Sequence, residues 1–303
     1  MEEKYRHLIR DGYEFEFAKY FSEGWDLFKK GAGSYIGFLL VTGLIMGAVG
    51  LIFWMVFGSL FFFSIDSASG PDMSGMVPGL IIFYILYIVV LTLVQYCMYG
   101  GFYIYSGQLI TKSEDFGQFF KGFKFIKEIA AFFLFYLLIV SPIIILIFTT
   151  VFPLEMFLNM FSGDFYESQY MMEDYAESMG ARIPLMFLLY LLLAAVLIAY
   201  SLTLPLIVDA GLPAWKAMET SRKVVSKKFF HFLGLYIVAG LMMMIGGLIT
   251  CYLGFLVLIP YFLCIHFMAY NRIFKPQRAG IDAQIDEFGE NEDDTNTEAE
   301  EKN

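Results

Sequence analysis

Few side chains in the long apolar runs of this sequence are equipped for chemistry. Gln95, Tyr99 and Ser106 recur on one helical face, Ser141 with Pro142 is expected to interrupt the third span, and Pro260 to break the sixth. Tyr200, Ser201 and Thr203 lead into Pro205, and His266 stands in a stretch without Asp, Glu, Lys or Arg. Proton or ion pumping usually needs ionisable groups within a membrane span, where they are costly and therefore informative. His266 is the one candidate, and a hydrogen-bonded packing role competes with a titrating one. The trail Gln95, Tyr99, Ser141, Ser201, Thr203 and His266 fits a narrow polar cavity, because proline in a span frees a carbonyl and discontinuous helices frame substrate sites. The competing reading makes residues 99–105 an aromatic belt at the membrane surface.

Hydrolytic chemistry has no foothold. The chain lacks a Gly-x-Ser-x-Gly elbow, a His-Glu-x-x-His helix and a Gly-x-x-x-x-Gly-Lys loop, so no catalytic residue, cofactor or enzymatic activity is expected. Cys97, Cys251 and Cys264 lack ligand-like spacing and read as small buried hydrophobes, with no metal site. Five methionines lie beside carboxylates between Pro153 and Pro184, but without histidine. An external amphipathic helix or short hairpin explains that segment better than soft-metal capture.

The elements that position these residues follow from composition. The 303 residues are 58% hydrophobic and 19% aromatic, too apolar for a soluble domain. Charge is absent from residues 31–65, 73–111, 129–154, 183–208 and 229–271. Each run exceeds the roughly 20 residues needed to cross a bilayer, and the last is long enough for two helices turning near Gly254. The expected fold is therefore an all-α membrane protein with six transmembrane helices and amphipathic interfacial helices. Residues 1–30 form an N-terminal segment with an interfacial helix, 31–274 the transmembrane domain, and 275–303 an acidic disordered tail. The glycines Gly43, Gly47 and Gly50 have the small-residue spacing of close helix packing, expected within the protein, with an interface between copies as the competing reading.

Nineteen of the twenty Lys and Arg residues fall on one side of this topology. Cytoplasmic loops hold such an excess, so both termini are expected in the cytoplasm of a bacterial cell, with the spans in its inner membrane. Three basic segments begin near Trp25, Phe116 and Trp215, spaced by 91 and 99 residues. Each precedes a span and its return, the pattern of three parallel two-span units; any basic interfacial segment would also look this way. In the third, Trp215, Met218, Val225 and Phe229 share one helical face, while Lys216, Thr220, Lys223 and Lys227 form a stripe on another. Arg222 interrupts the apolar face and either snorkels to headgroups or pairs with Asp209.

The run from Leu204 to Val225, "LPLIVDAGLPAWKAMETSRKVV", and the hairpin "GLITCYLGFLVLIPYFLCIHFMAYNRIF" resemble the C-terminal part of a broad group of bacterial polytopic membrane proteins. That group is similar to the membrane domain attached to some glycerophosphoryl diester phosphodiesterases. The resemblance rests on Pro205, Asp209, Ala217, Ser221, Gly247, Gly254 and Pro260. It implies a fold and a membrane, and no reaction, because the chain has no phosphodiesterase domain.

Two functions are compatible with these features. One is a non-enzymatic protein whose Lys216, Arg222, Lys223, Lys227 and Lys228 contact anionic lipid headgroups while the bundle organises lipids or partner proteins. Nucleic acid is not an expected partner, whereas the acidic tail is a candidate docking segment for a protein. The other is a permease for a small or amphipathic solute, using the polar trail.

Overall fold

The computed structural model describes the backbone of residues 5, 8–65, 73–111, 115–151 and 165–275. The acidic tail lies outside them. Among the described residues there is no strand. The helices are α1 (Phe17–Lys30), α2 (Ala32–Ile65), α3 (Met73–Ile110), a 3-10 helix (Phe116–Phe125), α4 (Ile126–Val151), α5 (Phe165–Ala199), α6 (Thr203–Val208), α7 (Ala214–Lys227), α8 (Phe229–Ile249) and α9 (Phe255–Phe274). Six segments are long and apolar enough to cross a membrane, one each in α2, α3, α4 with its 3-10 lead, α5 with α6, α8 and α9. The chain is thus a multi-pass membrane protein by length and composition, with the element order short helix, span, span occurring three times.

Several expectations change in detail. α5 has 35 residues, roughly 52 Å at 1.5 Å per residue against a hydrocarbon core of about 30 Å. Residues 165–182, part of the segment from Pro153 to Arg182 expected as an external helix or short hairpin, are helical and run without a break into the span that begins at Gly180. Pro142 and Pro260 do not interrupt their helices, since α4 and α9 run through them; a single lost hydrogen bond is tolerated where neighbours support the helix. The α8–α9 turn uses left-handed backbone at Cys251 and Tyr252, with φ of 48° and 68°. Gly254 serves it differently: its N–H donates to Thr250 Oγ1 at 2.8 Å, and a Cβ there would overlap the Thr250 side chain. Cys251 is exposed on this turn, while Cys97 and Cys264 are buried as expected.

The tight core lies at the end of the bundle that carries the basic segments. Of the α9 span 61% is buried, against 11% to 22% in the other five. α9 is the central post, and the outer helices present Leu44, Met55, Phe187 and Ile249 outward, as a lipid-facing surface requires. α1 docks on α9 through Tyr20, Gly24, Leu27 and Phe28, an i, i+4, i+7, i+8 stripe. Gly24 permits the approach, since a Cβ would come within 3.0 Å of the Ile265 backbone. Arg272 then pairs with both Glu16 and Glu23. Its charge assists Lys19, whose hydrogen bond is the main cause holding the Glu16 carboxyl below the usual carboxylate range.

The 3-10 helix packs backbone against backbone on α3. A Cβ at Gly101 would overlap the Phe119 carbonyl, and one at Gly122 would overlap the Cys97 carbonyl. Asp115 caps this segment, accepting from the Gly117 N–H at 2.9 Å. The close approach drives Phe119 into an aromatic cluster, with ring centroids 4.1 Å from Tyr105 and 4.5 Å from Phe38. Such offset stacks stabilise beyond the area they bury.

The glycines singled out on α2 behave otherwise. A Cβ at Gly43 or Gly47 meets open space, so among the described residues these two positions pack against no other helix, whereas Gly50 faces Tyr87 of α3 at ordinary contact distance. Gly101→Ala and Gly122→Ala should each lower unfolding stability in detergent by about 2 kcal/mol or more, because backbone must move. Gly43→Ala and Gly47→Ala should be neutral or stabilising by up to about 1 kcal/mol.

Candidate functional site: an aromatic chamber at a broken helix

The fourth span is broken for a reason visible in its residues. Pro205 has no N–H for the Ser201 carbonyl, and its ring excludes that carbonyl from the i−4 position. The chain leaves helix at Tyr200–Leu202 and resumes as α6 at Thr203. Backbone groups freed in an apolar bundle need partners. Ser221 supplies them from α7, its Oγ donating to the Ala199 carbonyl at 2.8 Å and accepting from the Leu202 N–H at 3.2 Å.

This clasp explains how α7 is seated. Its buried face is Ala214, Ala217, Met218, Ser221, Val224 and Val225, packed on the ends of α4, α5 and α6. The expected apolar face was rotated from this one: Trp215 is 57% exposed, with its ring edge-on to Phe135 at 5.5 Å. Arg222 consequently lies on the exposed side and interrupts nothing. Asp209 makes its ion pair with Lys275 at 2.5 Å, the partner that sequence reasoning did not name. Glu128 reaches from α4 to accept the Ala214 N–H at 2.8 Å, capping α7 where Pro213 offers no side-chain cap. Gly211, with φ of 67°, makes the turn between α6 and α7.

Beside the break lies a chamber of about 430 Å³. α3 lines it with Thr92, Gln95, Tyr96, Tyr99 and Tyr103, successive positions on one helical face. α4 adds Phe132 and Tyr136, and the break adds Leu197, Tyr200, Ser201 and Leu204. Tyr236 of α8 and the i, i+4 pair Phe262 and His266 of α9 complete the wall. The volume lies within the range of small-molecule sites, roughly 300–1,000 Å³.

Four of the six residues of the expected polar trail meet here: Gln95, Tyr99, Ser201 and His266. The Gln95 amide donates to the Tyr99 hydroxyl at 3.0 Å. The Tyr103 hydroxyl and His266 Nδ1 are 2.8 Å apart, which leaves Nε2 as the ring's other polar atom. Ser201 and Tyr236 each bring a buried hydroxyl to the wall. Ser141 and Thr203 do not belong to the wall: Ser141 sits on continuous helix, and Thr203 is fully buried in the first turn of α6. Nor are Tyr103 and Tyr105 part of a surface belt, since both are buried within the protein.

Lys216, Arg222, Lys223, Lys227 and Lys228 all lie away from the chamber. Lys216, Arg222, Lys223 and Lys227 are exposed on α7, where Lys223 pairs with Glu219 at 2.7 Å, and Lys228 follows the helix, half-buried. Among the described residues, no three His, Cys, Asp or Glu side chains gather in a group able to hold a metal. Sequence reasoning missed Tyr96, Tyr103, Tyr136, Tyr236 and Phe262 as wall residues, whereas Tyr200 was named on the approach to Pro205. For Tyr96 and Tyr103 a signal existed, since they extend the helical face of Gln95 and Tyr99.

No family model, curated protein or solved structure matches the chain. The likeness to the phosphodiesterase-attached membrane domain therefore rests on the quoted residues alone. Several of these have local structural work: Pro205 and Ser221 make and clasp the break, Asp209 holds Lys275, and a Cβ at Gly247 would strike the Phe255 ring.

Ser221→Ala should cost about 1–3 kcal/mol in detergent unfolding, the penalty for stranding a buried donor and acceptor. Ser221→Thr, which keeps the hydroxyl, should lose less, and equal losses in the two variants would contradict the clasp.

Proposed function

We propose that this protein is a non-enzymatic permease that binds a small or amphipathic solute within the membrane. The observation that carries the reading is the chamber, where Gln95, Tyr99, Ser201 and His266 converge beside a broken helix. Its wall carries amide, imidazole and hydroxyl groups but no carboxylate, lysine or thiol, a composition suited to holding a solute and poor in acid–base pairs. Discontinuous helices are a recurrent setting of transporter binding sites.

In this proposal both termini face the cytoplasm of a bacterial cell and the spans lie in its inner membrane. Support comes from the grouping of α1, the 3-10 helix, α7 and the end of α9 at one end of the bundle, joined through Arg272, Glu128 and Asp209. The lysines are concentrated there, the arrangement that the cytoplasmic face favours. Contact of the exposed Lys216, Arg222, Lys223 and Lys227 with anionic headgroups is retained as a secondary role. It is secondary because the apolar face of α7, which membrane insertion would require, is spent on protein.

The test compares cells producing wild-type protein with cells producing the Gln95→Ala, Ser201→Ala double variant at equal membrane abundance. Untargeted profiling should find at least one small amphipathic compound whose cell-to-medium ratio shifts with the wild type and not with the variant. Identical profiles would contradict the permease reading.

A further inference from the structure

A second cavity of about 390 Å³ adjoins the chamber. Ala194, Leu197 and Ile198 of α5 and Leu233 and Ile237 of α8 form its walls, which are almost wholly apolar. Leu197, Ser201 and Tyr236 line both spaces, so the groove and the chamber meet at the helix break. Chamber and groove together form a site with one aromatic, weakly polar compartment and one hydrocarbon compartment.

The chemistry of the chamber narrows what its compartment accepts. Tyr96, Tyr99, Tyr103, Tyr136, Tyr200 and Tyr236 all contribute to the wall. Neither lysine nor arginine lines it, so a phosphate, sulfate or carboxylate group would enter without a charge partner. Aromatic faces are negative, and several around one point hold a cation without a carboxylate. A quaternary ammonium suits such a box best, because its charge is spread over alkyl groups that need no hydrogen-bond acceptor. Edge-on contacts such as Tyr136 to Tyr200, at 6.1 Å and 87°, hold rings of the wall at differing orientations.

We infer that the solute is a quaternary ammonium amphiphile, with its cation in the tyrosine chamber and its alkyl chain in the groove between α5 and α8. This inference rests on the permease reading and assigns its substrate class. The groove then gives the chain a route from the bilayer to the chamber that avoids water.

The test uses the full chain in lipid nanodiscs and radiolabelled dodecyltrimethylammonium below its micellar concentration, with empty discs subtracted. Saturable binding is expected, with dodecanol and dodecyl sulfate competing at least about tenfold more weakly. Tyr136→Ala and Tyr200→Ala should each weaken binding about tenfold, whereas Tyr136→Phe, which keeps the ring, should stay within about threefold. Ala194→Trp, which fills the groove, should weaken dodecyltrimethylammonium more than butyltrimethylammonium; an equal effect on both would overturn the groove assignment. Equal competition by dodecanol, with the same response to the tyrosine variants, would overturn the cation class while leaving a solute site in place. Absence of saturable binding by all three amphiphiles would overturn both this inference and the reading beneath it.

Discussion

Pro205 and Ser221 together set the constraint on which the site depends. Pro205 removes the donor for the Ser201 carbonyl, the helix gives way at residues 200–202, and an apolar bundle does not tolerate backbone groups left loose at such a break. A hydroxyl from α7 satisfies them. The same contact fixes α7 against α4, α5 and α6, directs its lysines outward and leaves Tyr200 and Ser201 at the chamber wall. Local covalent chemistry thus becomes a tertiary contact, and the tertiary contact a cavity.

The remainder of the basic end is built to keep that arrangement rigid. Three amphipathic segments spend their apolar faces on protein: α1 on α9, the 3-10 helix on α3, and α7 on the broken span. Glycine allows two of these contacts, at Gly24 against Ile265 and at Gly101 against Gly122. Away from this end the spans bury little of themselves. Dense packing therefore surrounds one side of the chamber, while the α5–α8 side is apolar and loosely filled.

Six spans were legible in the sequence because charge is excluded so completely from the apolar runs. Gln95 and Tyr99 were legible as wall residues because polar groups stand out at helical spacing. Tyr136, Tyr236 and Phe262 were not, since an aromatic residue in an apolar run carries no mark of which neighbour it will face. The three prolines also look alike in sequence. Only Pro205 has a serine on another helix placed to satisfy the break, and that is a long-range fact. Hydrophobicity misled at α7, where Trp215 faces outward and Ser221 is buried. A hydrogen bond to broken backbone outweighs the preference of a hydroxyl for water. The 3-10 geometry of residues 116–125 was not legible, since three-residue spacing of apolar residues fits an amphipathic α-helix equally well.

The structure requires that the chamber beside the broken helix be open to polar molecules within an otherwise apolar bundle. Thiol reactivity tests it most directly, in protein whose three native cysteines have been replaced. Reconstituted Gln95→Cys should react with a water-soluble maleimide, and should slow when Leu197→Trp fills the chamber. Leu86→Cys, on the exposed apolar surface of the same helix, should stay unreactive. Gln95→Cys as inert as Leu86→Cys, in protein of undiminished stability, would contradict the account.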